Sequence, residues 1–147
     1  MVLQTDGLTQ LVNRLGYEHY LARLHVPATI LMFDVDRFKD VNDCHGHLMG
    51  DACLRTIAGC IRRAYGNYGT CFRIGGDEFC VILTRRNAQY NTMTEIFQHL
   101  MDAARVENPV LPTVSVGCSH FNPSTDELAD ALAQADAQMY QNKEAHR

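Results

Sequence analysis

Two adjacent glycines, Gly75 and Gly76, separate residues 70–74 from residues 79–84, and both flanking runs are rich in apolar and β-branched side chains. Short runs of this composition on either side of a glycine turn are typical of a β-hairpin. A hairpin makes its two strands antiparallel neighbours, so the sheet of this chain cannot be entirely parallel.

The remaining apolar periodicity interleaves helices with strands. Residues 28–33 form a continuous apolar run that is short enough for a buried strand, and residues 113–117 are also strand-like. Helical spacing predicts helices within residues 8–15, 17–24, 54–61, 93–104 and 128–139, the last preceded by a capping box from Ser124 to Glu127. We therefore predict one α+β domain over residues 1–147, an α/β-type sandwich whose central mixed, mostly antiparallel sheet is flanked by helices.

Composition limits the partners and the compartment. The formal charge is −4, from 13 basic and 17 acidic residues, and this argues against non-specific electrostatic binding of nucleic acid. The six cysteines show no C-x-x-C pair, which favours buried thiols in a reducing cytosol. No stretch approaches the roughly 20 apolar residues of a membrane span. We expect a cytoplasmic domain without a nucleic-acid partner.

Acidic residues follow two of the predicted strands. Asp34 and Asp36 end the buried run, and Asp77 and Glu78 lie at the glycine turn. If the strands are neighbours, both pairs meet at one sheet edge and offer the hard oxygen ligands that suit Mg²⁺ or Mn²⁺. Such a metal would serve phosphoryl or nucleotidyl transfer. A polar turn and a solvated strand end would place the same acids there without a metal.

Six sequence blocks, in the same order over nearly the whole chain, resemble the GGDEF family, whose catalytic members are diguanylate cyclases. They are RIGGDEF at 73–79, DGLTQLVNR at 6–14, FDVDRFKDVND at 33–43, GHLMGD at 46–51, TVSVG at 113–117 and ADAQMYQNK at 135–143. The resemblance implies a fold similar to the nucleotidyl cyclase or palm domain, with the glycine hairpin at the active site.

The resemblance also implies a reaction, in which two GTP molecules become cyclic di-GMP plus pyrophosphate with two Mg²⁺ or Mn²⁺ ions per active site. It assigns metal binding to Asp34, the backbone carbonyl of Val35, Asp77 and Glu78. Asp77 and Glu78 would divide metal ligation and activation of the attacking hydroxyl between them. The reaction requires both, because the 3′-hydroxyl must lose its proton and the departing pyrophosphate must be neutralised.

Asn42 and Asp51 correspond to the guanine contacts of the family. A carboxylate accepts hydrogen bonds from guanine N1–H and the exocyclic amine, whereas adenine offers no such pair of donors. Asp51 also fits an N-terminal helix cap, because Gly50 and Asp51 precede the helical pattern of residues 54–61.

Lys143 and Arg147 lie four residues apart, so a single helix face would present both cations to the triphosphate. Basic residues are also favoured at a helix C-terminus by its dipole, and the residues around Arg147 depart from the family pattern. The other substrate-binding residues implied by the resemblance are Phe38, Lys39, Gly75 and Gly76. Phe38 fits the apolar core equally well, and the two glycines allow close approach of the backbone and a positive φ.

One family motif is missing. Many relatives carry Arg-x-x-Asp upstream of the Gly-Gly turn, where it forms an inhibitory site for the product, but residues 66–69 of this chain are GNYG. Without the arginine and the carboxylate we predict no inhibitory site and no tight product binding there.

Joining two GTP molecules reciprocally requires two domains that face each other as a C2 pair. We expect a transient homodimer, brought together by a sensory or membrane segment N-terminal to this sequence that anchors the full-length protein in the bacterial inner membrane. The alternative is a non-catalytic GTP-binding regulatory GGDEF domain. A mononucleotide cyclase or a mixed-nucleotide synthase is a further alternative, which product identification would separate.

Overall fold

A computed structural model describes residues 4–84 and 89–145. In this part of the chain, five helices and four strands follow one another in the order α1 (Arg14–Arg23), β1 (Ala28–Val35), α2 (Phe38–His45), α3 (His47–Tyr65), β2 (Gly69–Arg73), β3 (Glu78–Leu83), α4 (Tyr90–Glu107), β4 (Val114–Phe121) and α5 (Leu128–Ala145).

The four strands form one sheet in the order β2-β3-β1-β4, and each of the three strand pairs is antiparallel. The predicted mostly antiparallel sheet and glycine hairpin are therefore confirmed. Within the described residues, parallel pairing is confined to an isolated bridge between Val12 and Phe72. β1 lies between β3 and β4, and Asp34 near its end is opposite Glu78, the first residue of β3 after the hairpin turn.

Helices cover both faces of the sheet. Alternate side chains of β1 enter different clusters: Leu31, Phe33 and Val35 pack with α2, α3 and α4, whereas Ile30 and Met32 pack with α1 and α5. Burial on both faces explains why this strand is a continuous apolar run rather than an alternating one. The predicted sandwich of helices around a sheet is confirmed.

The residues before α1 do not form the helix predicted for positions 8–15. Val12 N–H donates to the Cys71 carbonyl (3.2 Å), and Arg73 N–H donates to the Val12 carbonyl (2.8 Å). Because β2 takes the backbone groups of Val12, and residues 7–9 form a turn in which the Gln10 N–H donates to the Asp6 carbonyl (2.8 Å), the helix begins only at Arg14. Asn13 caps it, accepting a hydrogen bond from Gly16 N–H at 3.0 Å.

The predicted capping box at Ser124 is also wrong, because α5 begins only at Leu128. Asn122 Oδ1 accepts the Ser124 N–H (3.0 Å), and Asp126 Oδ2 accepts the Asn122 N–H (2.9 Å). The turn thus uses its own short polar side chains, which compete with helix capping for the same backbone groups.

The thiol prediction holds for most of the cysteines, which are all unpaired. Four are buried, one is intermediate and one is exposed: Cys53, Cys60, Cys71 and Cys80, then Cys118, then Cys44. Across residues 4–84 and 89–145, no helix combines the length and the apolar character needed to cross a bilayer.

Candidate active site

The register between β1 and β3 brings the acidic residues of the two strands together. Asp34 lies opposite Glu78 in the antiparallel pair, and the Val35 N–H donates to the carbonyl of Asp77 at 3.0 Å. The acids that end β1 and those of the hairpin turn therefore share one edge of the sheet, as the sequence pattern predicts. Val35 itself is buried, so its contribution to this edge is its backbone.

The hairpin turn is closed by the backbone of Glu78, whose carbonyl accepts the N–H groups of Ile74 (3.0 Å) and Gly75 (3.3 Å). Neither Gly75 nor Gly76 adopts a positive φ, so that part of the expectation is wrong. Gly75 matters for space instead: a Cβ there would lie 2.7 Å from Glu78 Oε1, so a side chain at this position would oblige the Glu78 carboxylate to move. Glycine at 75 thus makes room for the acid side chain.

Two arginines, Arg73 of β2 and Arg14 of α1, link the hairpin to the N-terminal segment. Arg73 Nη1 lies 3.2 Å from both carboxylate oxygens of Asp6, and its Nη2 donates to the Gly76 carbonyl at 2.9 Å. Arg14 Nη1 donates to the Ile74 carbonyl at 3.2 Å. The N-terminal motif therefore braces the turn that carries the acids.

Three carboxyl groups around Asp34 bind their protons more tightly than usual. Burial, followed by the charge of Asp34, raises the pKa of Asp77. Burial and the charges of Asp34, Asp77 and Asp136 raise the pKa of Glu78. The pKa of Asp136 is raised by burial and then by Asp34. Crowded carboxylates of this kind favour a bound cation.

Asp77→Asn is expected to stabilise the fold at neutral pH. A carboxyl pKa that is higher in the folded protein than in the unfolded chain makes ionisation unfavourable to folding, so a neutral amide removes that cost. The gain should stay within about 1 kcal/mol, because solvent screens this partly exposed group.

Urea unfolding of the Asp77→Asn variant at two pH values measures this gain. It should be present above the raised pKa and should disappear below the ordinary value of 3.8, where both states are protonated. Asp43→Asn, at an exposed position of α2, is the control. A gain that grows as the pH falls would contradict the assignment.

Lys143 of α5 supplies a cation to this edge. Its Nζ lies 2.9 Å from Asp34 Oδ2 and 3.6 Å from Asp36 Oδ1. Burial alone would lower the pKa of Lys143. The hydrogen bond to Asp34 and the charges of Asp34 and Asp36 outweigh this effect, so the pKa of Lys143 is raised. The structure thus places the lysine among the acids, and Arg147 lies outside the described residues.

Asp36 has different surroundings from Asp34. Its Oδ2 accepts the hydroxyl of Thr113 and its Oδ1 accepts the hydroxyl of Ser115, both at 2.6 Å. Both hydroxyl residues belong to the TVSVG strand block, but their contact with Asp36 was not predicted from the sequence. The available signal was their spacing of two, which places both side chains on one face of a strand.

The donor chemistry of the edge fits a hard divalent cation, because the carboxylates of Asp34, Asp77 and Glu78 and the carbonyl of Val35 all offer oxygen. Over residues 4–84 and 89–145, however, no three Asp, Glu, His or Cys side chains are arranged as a closed group of metal ligands. Lys143 lies on Asp34 Oδ2. A metal ion that is bound by Asp34 would therefore have to displace Lys143 from the Asp34 carboxylate.

The two predicted guanine contacts lie on consecutive helices, Asn42 on α2 and Asp51 on α3. The N-cap of α3 is Gly46, and Asp51 lies in the second turn, so the capping interpretation of Asp51 is wrong. A methyl group at Gly50 would overlap the Asn42 amide and would lie 3.3 Å from Cζ of Phe38. Glycine at 50 therefore allows the two side chains of α2 to approach α3.

The other predicted phosphate contacts differ in exposure. Phe38 is half-buried and packs against the core, whereas Lys39 is exposed. The interpretation of Phe38 as a core residue is therefore confirmed in part, because one portion of its ring packs against the core. The roles of both residues at a phosphate stay predictions.

The segment of the missing inhibitory motif joins α3 to β2. A Cβ at Gly66 would lie 2.5 Å from the Arg62 carbonyl oxygen, and a Cβ at Gly69 would overlap the Ile82 carbonyl. Both ends of the segment therefore approach neighbouring backbone too closely for a side chain without a local shift.

A family model described as the diguanylate cyclase GGDEF domain matches residues 3–147. The chain belongs to the GGDEF family. The fold agrees, because this GGDEF domain superposes on the GGDEF domain of DgcB from Caulobacter crescentus, solved in complex with c-di-GMP, with a TM-score of 0.82 and 28% sequence identity. The match covers 98% of this chain and 92% of that one.

Two curated relatives show how far the similarity extends. The GGDEF domain is 38% identical over 144 residues to an uncharacterized 19.3 kDa protein of Streptomyces ambofaciens, covering 94% of this chain and 77% of that protein. It is 34% identical to the diguanylate cyclase DgcZ of Escherichia coli, covering 80% of this chain. The match spans 41% of the length of DgcZ.

Proposed function

We propose that this GGDEF domain is a diguanylate cyclase, which converts two GTP molecules into cyclic di-GMP and two pyrophosphates. One observation carries the proposal: the β1–β3 register places Asp34 opposite Glu78, and the Val35 N–H donates to the Asp77 carbonyl, so the acids of both strands meet at one sheet edge. Clustered carboxylates of this kind are what metal-dependent nucleotidyl transfer requires. The curated names of relatives such as DgcZ support this activity.

In the proposed reaction, the 3′-hydroxyl of one GTP gives its proton to a carboxylate and its oxygen forms a bond to the α-phosphorus of the other. The bond from that phosphorus to the oxygen bridging to the β-phosphate breaks, and pyrophosphate leaves with the electron pair. Asp77 and Glu78 are the proposed acceptors, because they lie at the hairpin turn beside Asp34, where the GTP phosphates would bind. The same exchange in the opposite direction closes the ring.

Asp34, Asp77, Glu78 and the Val35 carbonyl would hold two Mg²⁺ or Mn²⁺ ions. Such ions neutralise phosphate charge and lower the pKa of the attacking hydroxyl when they are bound. Lys143 would meet the triphosphate beside them, with Arg147 as a second proposed cation. We propose that Asn42 and Asp51 select guanine by their hydrogen-bonding capacity.

Gly50→Ala is expected to weaken GTP binding about tenfold, because the new methyl group displaces the Asn42 amide and one guanine hydrogen bond is lost. Titration calorimetry with a non-hydrolysable GTP analogue and Mg²⁺ measures the change. Gly59→Ala on the same helix is the matched control, since a Cβ there meets nothing within 4 Å. Unchanged affinity in Gly50→Ala would remove Asn42 from the guanine site.

Product binding is expected to be weak in this domain, because neither Gly66 nor Gly69 can supply the arginine or the carboxylate of an inhibitory site. Titration of the domain with cyclic di-GMP, with the GTP analogue bound, measures this. Submicromolar affinity would contradict the proposal.

The proposed activity needs two copies facing each other, because each domain presents one GTP. Proximity of this kind supplies much of the rate in such reactions. We propose that a sensory or membrane segment outside this sequence controls the pairing. The deciding test fuses the domain to a dimeric coiled coil, adds GTP and Mg²⁺, and identifies the product by mass spectrometry.

A non-catalytic GTP-binding domain is the second candidate, and one observation favours it: Lys143 pairs with Asp34 where a metal would be needed. Tight binding of GTP by the fused dimer without any cyclic dinucleotide would establish this candidate. Formation of cyclic di-GMP would exclude it.

A further inference from the structure

We propose that Asp36 is a positioning residue that anchors Lys143, so that the lysine can exchange Asp34 for the triphosphate of GTP without leaving the site. The inference rests on the proposed function, because it takes GTP as the substrate. It concerns Asp36, which the strand-end pattern grouped with the other acids but to which the proposed function gives no role.

The position of Asp36 is fixed from three directions. Its two carboxylate oxygens accept the hydroxyls of Thr113 and Ser115 at 2.6 Å, and its backbone N–H donates to the Thr113 carbonyl at 2.9 Å. Ser115 is fully buried and Asp36 is 7% exposed. The carboxylate is therefore held on β4 and cannot follow a ligand outward.

A carboxylate buried to this extent needs a compensating charge, and Lys143 provides it at 3.6 Å. The second partner of the lysine, Asp34, belongs to the cluster of acids proposed to hold metal. The two carboxylates thus differ: Asp36 is bound to the protein on both oxygens, whereas Asp34 faces Glu78 across the strand pair.

An ammonium group has three N–H donors, so Lys143 can keep Asp36 and donate to phosphate oxygens at the same time. If Asp34 turns to another cation, Asp36 still holds the end of α5 beside the site. Without Asp36, a lysine that had given up Asp34 would be free to extend into solvent, and ordering it on the triphosphate would cost conformational entropy.

A double-mutant cycle tests the anchor. The variants are Asp36→Asn, Lys143→Met and the two combined, and the readout is the affinity for a non-hydrolysable GTP analogue with Mg²⁺, measured by titration calorimetry. We expect Lys143→Met to weaken binding about tenfold and Asp36→Asn by about threefold to tenfold. The double variant should bind no more weakly than Lys143→Met alone, because Asp36 acts through the lysine.

Additive losses would overturn the proposal, since Asp36 would then act independently of Lys143. Unchanged affinity in Lys143→Met would overturn it too, together with the assignment of that lysine to the triphosphate. Thermal unfolding of each variant detects damage to the fold. Such damage would lower the stability of a variant, but it would not make the two losses of GTP-analogue affinity non-additive. Ser115→Ala, which removes one hydroxyl and no charge, should show the same non-additivity with a smaller loss, and it serves if Asp36→Asn does not fold.

The cyclase assay on the parent fused dimer keeps this inference separate from the proposed function. Cyclic di-GMP formation together with additive losses would leave the function standing and remove only the anchor. Absence of product together with a coupled pair would retain the anchor in a domain that binds GTP without turning it over.

Discussion

Glu78→Gln in the coiled-coil dimer is expected to lower the rate of cyclic di-GMP formation by about 10³-fold. Glu78 lies opposite Asp34 in the strand register, and burial together with the neighbouring charges raises the pKa of its carboxyl group. A neutral amide of nearly the same shape removes both a proposed proton acceptor and a proposed metal ligand. The amide cannot take the proton of a hydroxyl at any pH at which the protein is folded.

The loss should not come from unfolding. Because the pKa of Glu78 is raised in the folded protein, the carboxylate opposes folding above its ordinary pKa of 4.5, and Glu78→Gln should unfold at the same or a higher temperature. Glu95→Gln, at an exposed position of α4, is the matched control and should keep the parent rate. A Glu78→Gln rate within tenfold of the parent would exclude Glu78 from the chemistry.

Gly117→Ala is expected to destabilise the fold by about 3 kcal/mol. Gly117 lies on β4 where α5 crosses it, and an added Cβ would lie 2.9 Å from Cα of Met139 and would overlap the backbone of Ala135. These are backbone atoms, which cannot rotate away as the end of a side chain can. The helix must move, and Lys143 moves with it.

Urea unfolding measures the loss, and Gly59→Ala provides a control of opposite sign. Gly59 lies inside α3 with nothing within 4 Å of an added Cβ, so alanine should stabilise the helix by about 0.5–1 kcal/mol. If Gly117→Ala were as stable as the parent, the close packing of α5 on β4 would be incorrect. Gly117→Ala should also bind the GTP analogue more weakly, because the shift of α5 displaces Lys143.

Local signals were enough to predict the centre of the site from the sequence. The glycine turn predicted the hairpin, and the apolar run that ends at Asp34 predicted the strand beside it. Both predictions depend on neighbours in sequence, because a turn type and a strand end are properties of a few consecutive residues. The antiparallel pairing of β1 with β3 then brings the acids together.

The errors lie where partners distant in sequence decide the structure. β2 takes the backbone groups of Val12, so an apolar spacing that suits a helix forms a turn and a bridge to β2 instead. Gly46 begins α3 earlier than the apolar pattern indicates, and Asp51 loses its role as a cap. The contacts of Asp36 with Thr113 and Ser115 depend on the β1–β4 register, which periodicity within one segment does not reveal.

The ion pair between Lys143 and Asp34 joins residues that are 109 positions apart. A chain emerging from the ribosome has therefore made all of the crowded acids of β1 and β3 long before their lysine is synthesised. Until α5 has been synthesised, the acidic side chains must either stay solvated next to one another or remain apart, with β1 and β3 unpaired. Charge compensation at this edge of the sheet therefore depends on a contact between distant residues, which can form only after α5 has been synthesised and whose formation carries an entropic cost of loop closure.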